Sequence, residues 1–369
     1  MRSTVAVIDL SAYRYNLEQI KKKVAPAQTM AVVKANAYGH GMIPIAKTAL
    51  ETGVAYLGVA LVEEGVELRE NGIKTPILVF GGVEPEQIAL FFEHELDMML
   101  YTESAALQVS RQAQRLHQLA IVHVKIDTGM GRVGVHWKQA LDLIPKLATM
   151  PGIHLKGLCT HFATSDEKDK RFAKLQLERF NQVIQQLEAK TIHIPLKHVA
   201  NSGAILDLPE SYFNMVRPGI MSYGWYPSEE TSESVDIKPV MSFKTQVRYI
   251  KEIRQGESVS YGRKYIATQA TRIATLPVGY ADGYNRLLTN QGEVLIRGKR
   301  FPVVGRVCMD LIHADIGNHT EIKEGDEVIL FGRQGQESIY VTDICKKINT
   351  IPYEVCCWIS DRVPRIFCE

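Results

Sequence analysis

The run A-V-V-K-A-N-A-Y-G-H-G (31–41) places a lysine, Lys34, at the end of an apolar stretch and just ahead of a glycine-bearing loop. Desolvation in such a run lowers the pKa of an ammonium group, and the neutral amine is then nucleophilic enough to form an imine with an aldehyde. The competing reading is a lysine that snorkels out of a strand end. Two further segments favour the imine. N-M-V-R-P-G-I (214–220) offers Arg217 and Gly219, and A-N-S-G-A (200–204) offers Asn201, the hydroxyl of Ser202 and a second flexible glycine. A phosphorylated aldehyde needs donors for its phosphate and a partner for its ring nitrogen, and these residues are of the right kinds. Read alone, R-P-G is also a tight strand exit.

Other candidates are less specific one at a time. K-I-D-T-G-M-G-R-V-G (125–134) reads as a glycine-rich turn with or without a ligand, and His161 in C-T-H-F-A reads equally as a satisfied core histidine. Tyr261 in S-V-S-Y-G-R and Tyr280 in V-G-Y-A-D-G-Y fall in strand-like sequence, where most tyrosines fill a pleated surface. C-M-D-L (308–311) and Y-E-V (353–355) also pass as strand residues. His40, His136 and His161 lack close ligand spacing with acids or cysteines, so no metal site is expected.

The elements that would position these groups are legible in the alternation of short apolar runs and helix-like segments. Eight runs lie near 29–33, 55–60, 76–80, 96–100, 120–126, 154–159, 195–199 and 213–216. The clearest intervening helix is 168–188, where Phe172, Leu175, Leu177, Phe180, Val183 and Ile184 recur at helical spacing. Eight such units predict an α/β fold, an N-terminal (β/α)8 barrel over residues 1–235, whose chemistry belongs at the C-terminal ends of its strands. Lys34, Asp127, His161, Asn201, Ser202 and Arg217 all follow runs, as that rule requires. Barrels also often bind phosphate after the seventh and eighth strands, where Ser202 and Gly219 stand. From 236 to 369 the texture changes to alternating segments: Met241 to Ile253, V-G-Y, E-V-L-I-R-G, F-P-V-V-G-R-V and D-E-V-I-L-F-G. They predict a mainly antiparallel β C-terminal domain. The polar stretch from Pro227 to Lys238 reads as the linker.

The bulk properties exclude several classes. Lys plus Arg (43) nearly balance Asp plus Glu (41), which gives no electrostatic case for nucleic acid or an anionic membrane. No segment approaches the roughly 20 apolar residues of a membrane span, and M-R-S-T-V-A-V-I-D-L lacks a secretory h-region. A cytoplasmic protein with reduced thiols and small-molecule partners is expected.

As a set, these motifs resemble the alanine racemase family, PLP-dependent enzymes (PLP, pyridoxal 5′-phosphate) with a barrel and a C-terminal β domain, and the match runs from V-I-D-L to R-V-P-R. The resemblance implies that Lys34 is the Schiff-base lysine and that Arg217 faces the pyridine nitrogen with His161 behind it. Tyr38, Ser202, Gly219, Ile220 and Tyr353 would surround the phosphate. Tyr261 would be the second acid/base, while Arg132 and Met309 would contact the substrate carboxylate. Tyr261 and Met309 would come from the other subunit of a homodimer with shared active sites. Lys125 matches a position that can carry a carbamate.

The activity so implied is interconversion of L-alanine and D-alanine, which supplies D-alanine for peptidoglycan. Removing a proton from one face of the α-carbon and returning it to the other requires two acid/bases, Lys34 and Tyr261. Arginine cannot supply a proton near neutral pH, so the ring nitrogen stays unprotonated and side transamination is limited. Rival readings are a racemase of serine, lysine or a broader range, a fold-related PLP-dependent decarboxylase, and a PLP carrier made of a barrel alone. Arg217 argues against the decarboxylase, which usually presents an acid there, and the β domain argues against the carrier.

Overall fold

The computed structural model describes residues 2–369. All eight expected runs are strands: Gln28–Val32, Tyr56–Val59, Ile77–Val79, Asp97–Leu100, Ala120–Asp127, Ile153–Cys159, Leu196–His198 and Met215–Val216. Each pairs in parallel with the next, and the eighth returns to the first through Met215 opposite Gln28, which closes the barrel. Parallel strands covered by helices on the outside bury both faces, which is why they read as continuous apolar runs. Part of the interior is an apolar cluster containing Met30, Tyr56, Leu78, Met99, Cys159 and Met215. Beside it lie two buried histidines, His123 and His198, polar residues in a place barrels usually fill with aliphatics.

The helix expected over 168–188 spans Arg171–Ala189, but its buried face differs from expectation. Phe172 and Leu175 are exposed, whereas Ala173 and Gln176 are buried with Leu177, Phe180, Val183, Ile184 and Leu187. Gln176 turns inward because the barrel rim has backbone groups to satisfy: its amide donates to the carbonyl of His161 (3.0 Å) and accepts from the amide of Ala163 (2.9 Å). The linker is ordered as well. Asn16 grips the backbone of Lys238 at both its amide and its carbonyl, and Tyr226 donates to the carbonyl of Val235.

The structure divides the chain differently from the expected 1–235 and 236–369. One compact unit comprises Tyr13–Ala37 and Met42–Lys238; the other comprises Tyr38–Gly41, Pro239–Glu369 and the residues up to Ala12. The opening V-A-V-I-D belongs with the β unit because Val5–Asp9 pairs antiparallel with Met241–Gln246 and parallel with Arg365–Cys368. Within that unit the expected strands form a sheet that also contains Glu293–Ile296, Lys299–Pro302 and Glu327–Gln334. A second sheet is made of Tyr249–Ile253, Thr271–Leu276 and Ile312–Gly317. The turn between Ile296 and Lys299 has positive φ at Arg297 (51°) and Gly298 (73°), the primed geometry that matches strand twist.

Three strand readings fail here. V-G-Y runs from a loop into the 3-10 turn Tyr280–Asp282, C-M-D-L is a loop, and Y-E-V lies in the short helix Pro352–Cys357. Proline at the first turn and burial of Val355 and Cys356 on one face favour that helix.

Candidate active site

The barrel's C-terminal rim gathers the predicted residues. Lys34 follows the first strand, Lys125 lies two residues before the end of the fifth, His161 follows the sixth, Asn201 and Ser202 follow the seventh, and Arg217 follows the eighth. The segment after Lys34 is not an open loop. Ala35, Asn36, Ala37 and Tyr38 all have φ of 52–54° and form a left-handed turn of four non-glycine residues. Each such residue costs about 1–2 kcal/mol, so surrounding contacts must hold the turn. Two do so from the barrel unit: the carboxylate of Glu64 accepts from the amide of Ala35 (2.5 Å), and the side chain of Asn36 accepts from the amide of Met42 (2.8 Å). Neither role was legible in sequence; the one available signal was E-E-G following the second strand.

Arg217 is buried and heavily tied. Its Nη1 donates to the carbonyl and to Nδ1 (2.8 Å) of His198, and its Nη2 to the carbonyls of Thr160 (2.8 Å) and Val199 (3.1 Å) and to Nδ1 of His161 (3.3 Å). None of these bonds uses Nε. His161 is therefore no bland core histidine. Burial first, and then the positive charges of Lys125, Arg217, Arg132 and Lys34, hold its imidazole well below the usual range, so it is neutral. The positive potential that these groups set up at the rim suits an anionic ligand. Lys125, 7% exposed, has its pKa pushed down to about 8 by burial and by Arg217 and Arg132, against the opposing pull of Cys159 and Asp127. Arg132 stands exposed on a loop that Asp127 organises by accepting from the amides of Gly129 (2.9 Å) and Gly131 (3.1 Å).

On the same rim, Ser202 Oγ accepts from the amides of Gly219 (3.0 Å) and Met221 (3.4 Å), which brings a hydroxyl and the Gly219–Ile220 backbone together. Asn201 caps the following turn: its Oδ1 accepts from the amide of Ala204 (3.1 Å) and from Ser165 Oγ (2.8 Å).

The remaining predicted residues stand on the β unit. The rings of Tyr38 and Tyr353 lie 5.9 Å apart. Tyr261 is 70% exposed and Met309 52%. Their loops are nevertheless pinned, since Ser260 Oγ donates to the carbonyl of Arg306 (2.7 Å), and the amides of Tyr280 and Ala281 donate to the carbonyls of Cys308 and Met309.

A strand-end lysine, a buried arginine on the same rim and a hydroxyl-and-amide cradle fit the aldehyde, ring nitrogen and phosphate of PLP, and they define a PLP-dependent barrel enzyme. Comparison narrows the class. A family model for the alanine racemase N-terminal domain matches residues 8–227, and one for the C-terminal domain matches residues 240–367. An alanine racemase of Halothermothrix orenii is 47% identical over 365 residues, 99% of this chain and 96% of that one. The structure of an alanine racemase from Clostridium difficile 630 superposes with a TM-score of 0.96 at 41% identity, covering 100% of this chain and 96% of that one. An alanine racemase from Bacillus anthracis with bound L-Ala-P superposes with a TM-score of 0.94 at 36% identity, over 100% and 96% of the two chains. The chain belongs to the alanine racemase family. Among the described residues no helix is long and apolar enough to cross a membrane.

Proposed function

We propose that this chain interconverts L- and D-alanine with PLP, by a two-base reaction at sites shared between the subunits of a homodimer. The observation that carries the reading is the buried Arg217, held by His161 and His198 on the same barrel rim as Lys34 and the Ser202 cradle. When bound, PLP links to the amine of the substrate and draws electrons from its α-carbon.

Each residue then has a defined task. Lys34 Nζ anchors the cofactor and moves the proton on the D-alanine face. Arg217 supplies a donor to the ring nitrogen without giving up a proton, and His161 accepts from Arg217 to hold it in place. Ser202, with the Gly219–Ile220 backbone, binds phosphate, joined by the hydroxyls of Tyr38 and Tyr353. Asn201 keeps Ser202 in position through its cap. Arg132 binds the substrate carboxylate, and a carbamate on Lys125 would place an anion beside it. Tyr261 of the partner subunit moves the proton on the L-alanine face, with Met309 of the partner subunit against the carboxylate. Exposed, pinned aromatic and thioether side chains are what such a subunit contact requires. The cytoplasm, where peptidoglycan precursors are made, is the compartment that fits.

The test is the visible spectrum of the purified protein with and without borohydride, followed by peptide mapping. Reduction should fix PLP to Lys34, and Lys34→Ala should abolish the linkage; absence of colour after PLP addition would overturn the reading. Chiral chromatography with alanine, serine and lysine tests the substrate, and a lysine rate above the alanine rate would displace alanine.

A further inference from the structure

Arg217 is the end of a longer chain of polar groups. His198 Nε2 lies 2.8 Å from His123 Nδ1, and His123 Nε2 lies 3.5 Å from Asp97 Oδ2. Asp97 Oδ2 also accepts from the hydroxyl of Tyr56 at 2.9 Å. The four linked residues sit on four strands or strand ends: Asp97 opens the fourth, His123 is in the middle of the fifth, His198 ends the seventh and Arg217 follows the eighth. Asp97 also borders a cavity of ≈ 430 Å³ with Lys74, Glu95 and Lys156. It lies at the N-terminal ends of the strands, away from the rim that carries Lys34.

The direction of every bond is forced. A guanidinium has donors and no acceptor, so His198 Nδ1 must carry a lone pair and its proton must sit on Nε2. That proton faces His123, whose Nδ1 must accept it, leaving the His123 proton on Nε2 and pointed at a carboxylate. We propose that His123 and His198 form a one-way hydrogen-bond chain through the barrel that holds Arg217, with the Asp97 carboxylate facing the otherwise unpartnered Nε2 at its far end, and that Asp97 and His123 are positioning residues for racemisation. The proposal rests on the assignment of Arg217 to the ring nitrogen.

The electrostatic setting agrees. Burial, Arg217, His123 and Lys125 hold His198 well below the ordinary imidazole range, so the proton that would collide with Nη1 of Arg217 stays off. For His123, burial lowers the pKa, Asp97 pulls the other way, and Lys156 and Arg217 add to the lowering. The ring of Tyr56 packs edge-on against His123, with Lys156 over its face at 5.2 Å. The fold also makes room for the chain. Gly157 pairs with His123 across the strands, and a Cβ there would stand 1.9 Å from His123 Nδ1. Glycine at 157 is thus a requirement of the second link.

The test uses Asp97→Asn, which keeps shape while removing the charge and giving position 97 a donor. Nitrogen NMR of the holoenzyme and of the PLP-free protein, labelled at histidine, should show His123 and His198 as neutral Nε2–H tautomers in the parent. Asp97→Asn should shift the His123 Nε2–H resonance, the one that faces position 97, while Arg217 keeps both tautomers as they are. In the same variant kcat should fall about tenfold, the scale for groups that orient a functional side chain from behind, with KM for alanine little changed. The pyridoxamine formed per racemisation event should rise. Both the resonance shift and the rise in pyridoxamine are required: an Nδ1–H form of either histidine in the parent, or a variant that lacks either change, overturns the proposal. Arg217→Glu run in parallel separates the two levels. A rise in pyridoxamine there but not in Asp97→Asn sinks the chain and spares the assignment of Arg217; no rise in either sinks both.

Discussion

Replacing Gly157 with alanine probes the least obvious contact in the barrel. An added Cβ would lie 1.9 Å from Nδ1 of His123 and 2.5 Å from its Cγ and Cε1, where ordinary contact begins near 3.4 Å, so the ring must retreat by 1.5 Å. The ring is fully buried and its Nδ1 is bonded to His198 at 2.8 Å, a link that such a shift breaks. Overpacking of this kind costs about 1–3 kcal/mol, and a buried polar group left unpaired costs about 1–3 kcal/mol more. A loss of about 4 kcal/mol is therefore expected, large against the 5–15 kcal/mol typical of a folded protein yet survivable. Urea unfolding of the PLP-free protein, followed by circular dichroism, measures it. The same substitution in a His123→Ala background should cost far less, because the colliding ring is gone, and the difference is the coupling between the two positions. A loss below about 1 kcal/mol, or an equal loss in both backgrounds, would refute the reasoning.

Arg217→Glu should raise pyridoxamine formation, because a carboxylate lets the ring nitrogen be protonated; an unchanged yield counts against the assignment. Tyr261→Phe should leave the colour of the bound cofactor intact and damage the L-to-D direction selectively, and equal losses in both directions would contradict the two-face model. Lys125 is held at about 8 against an ordinary 10.5. Between those values the unfolded chain holds a proton that the folded one does not, so stability rises with pH across that window and the penalty, about 3 kcal/mol, is full below pH 8. In carbon-dioxide-free buffer Lys125→Met should accordingly be more stable than the parent at pH 7.5 and lose most of that advantage by pH 10; a difference independent of pH would exclude the depressed amine. With labelled bicarbonate near pH 8, a carbamate carbon signal should appear in the parent and be absent from Lys125→Met.

Much of this protein is legible in its chain because its determinants are local. Burial on both faces makes each parallel strand a continuous apolar run, so eight runs announced eight strands, and the strand-end rule then placed Lys34, His161, Ser202 and Arg217 on one rim. What tertiary structure alone decided involves partners far apart in sequence. Val5–Asp9 looks like any short strand, and only its pairing with Met241–Gln246 and Arg365–Cys368 assigns it to the β unit. The left-handed turn after Lys34 carries no glycine among its four residues, and the carboxylate that steadies it, on Glu64, lies 29 residues downstream of Ala35. Phe172 and Leu175 kept helical spacing but lost the interior to Gln176, since unsatisfied backbone at the rim outweighed apolar area. Asp97, His123 and His198 had no motif at all. Only barrel closure sets them in line behind Arg217, and only an arginine's lack of acceptors tells which way their protons point.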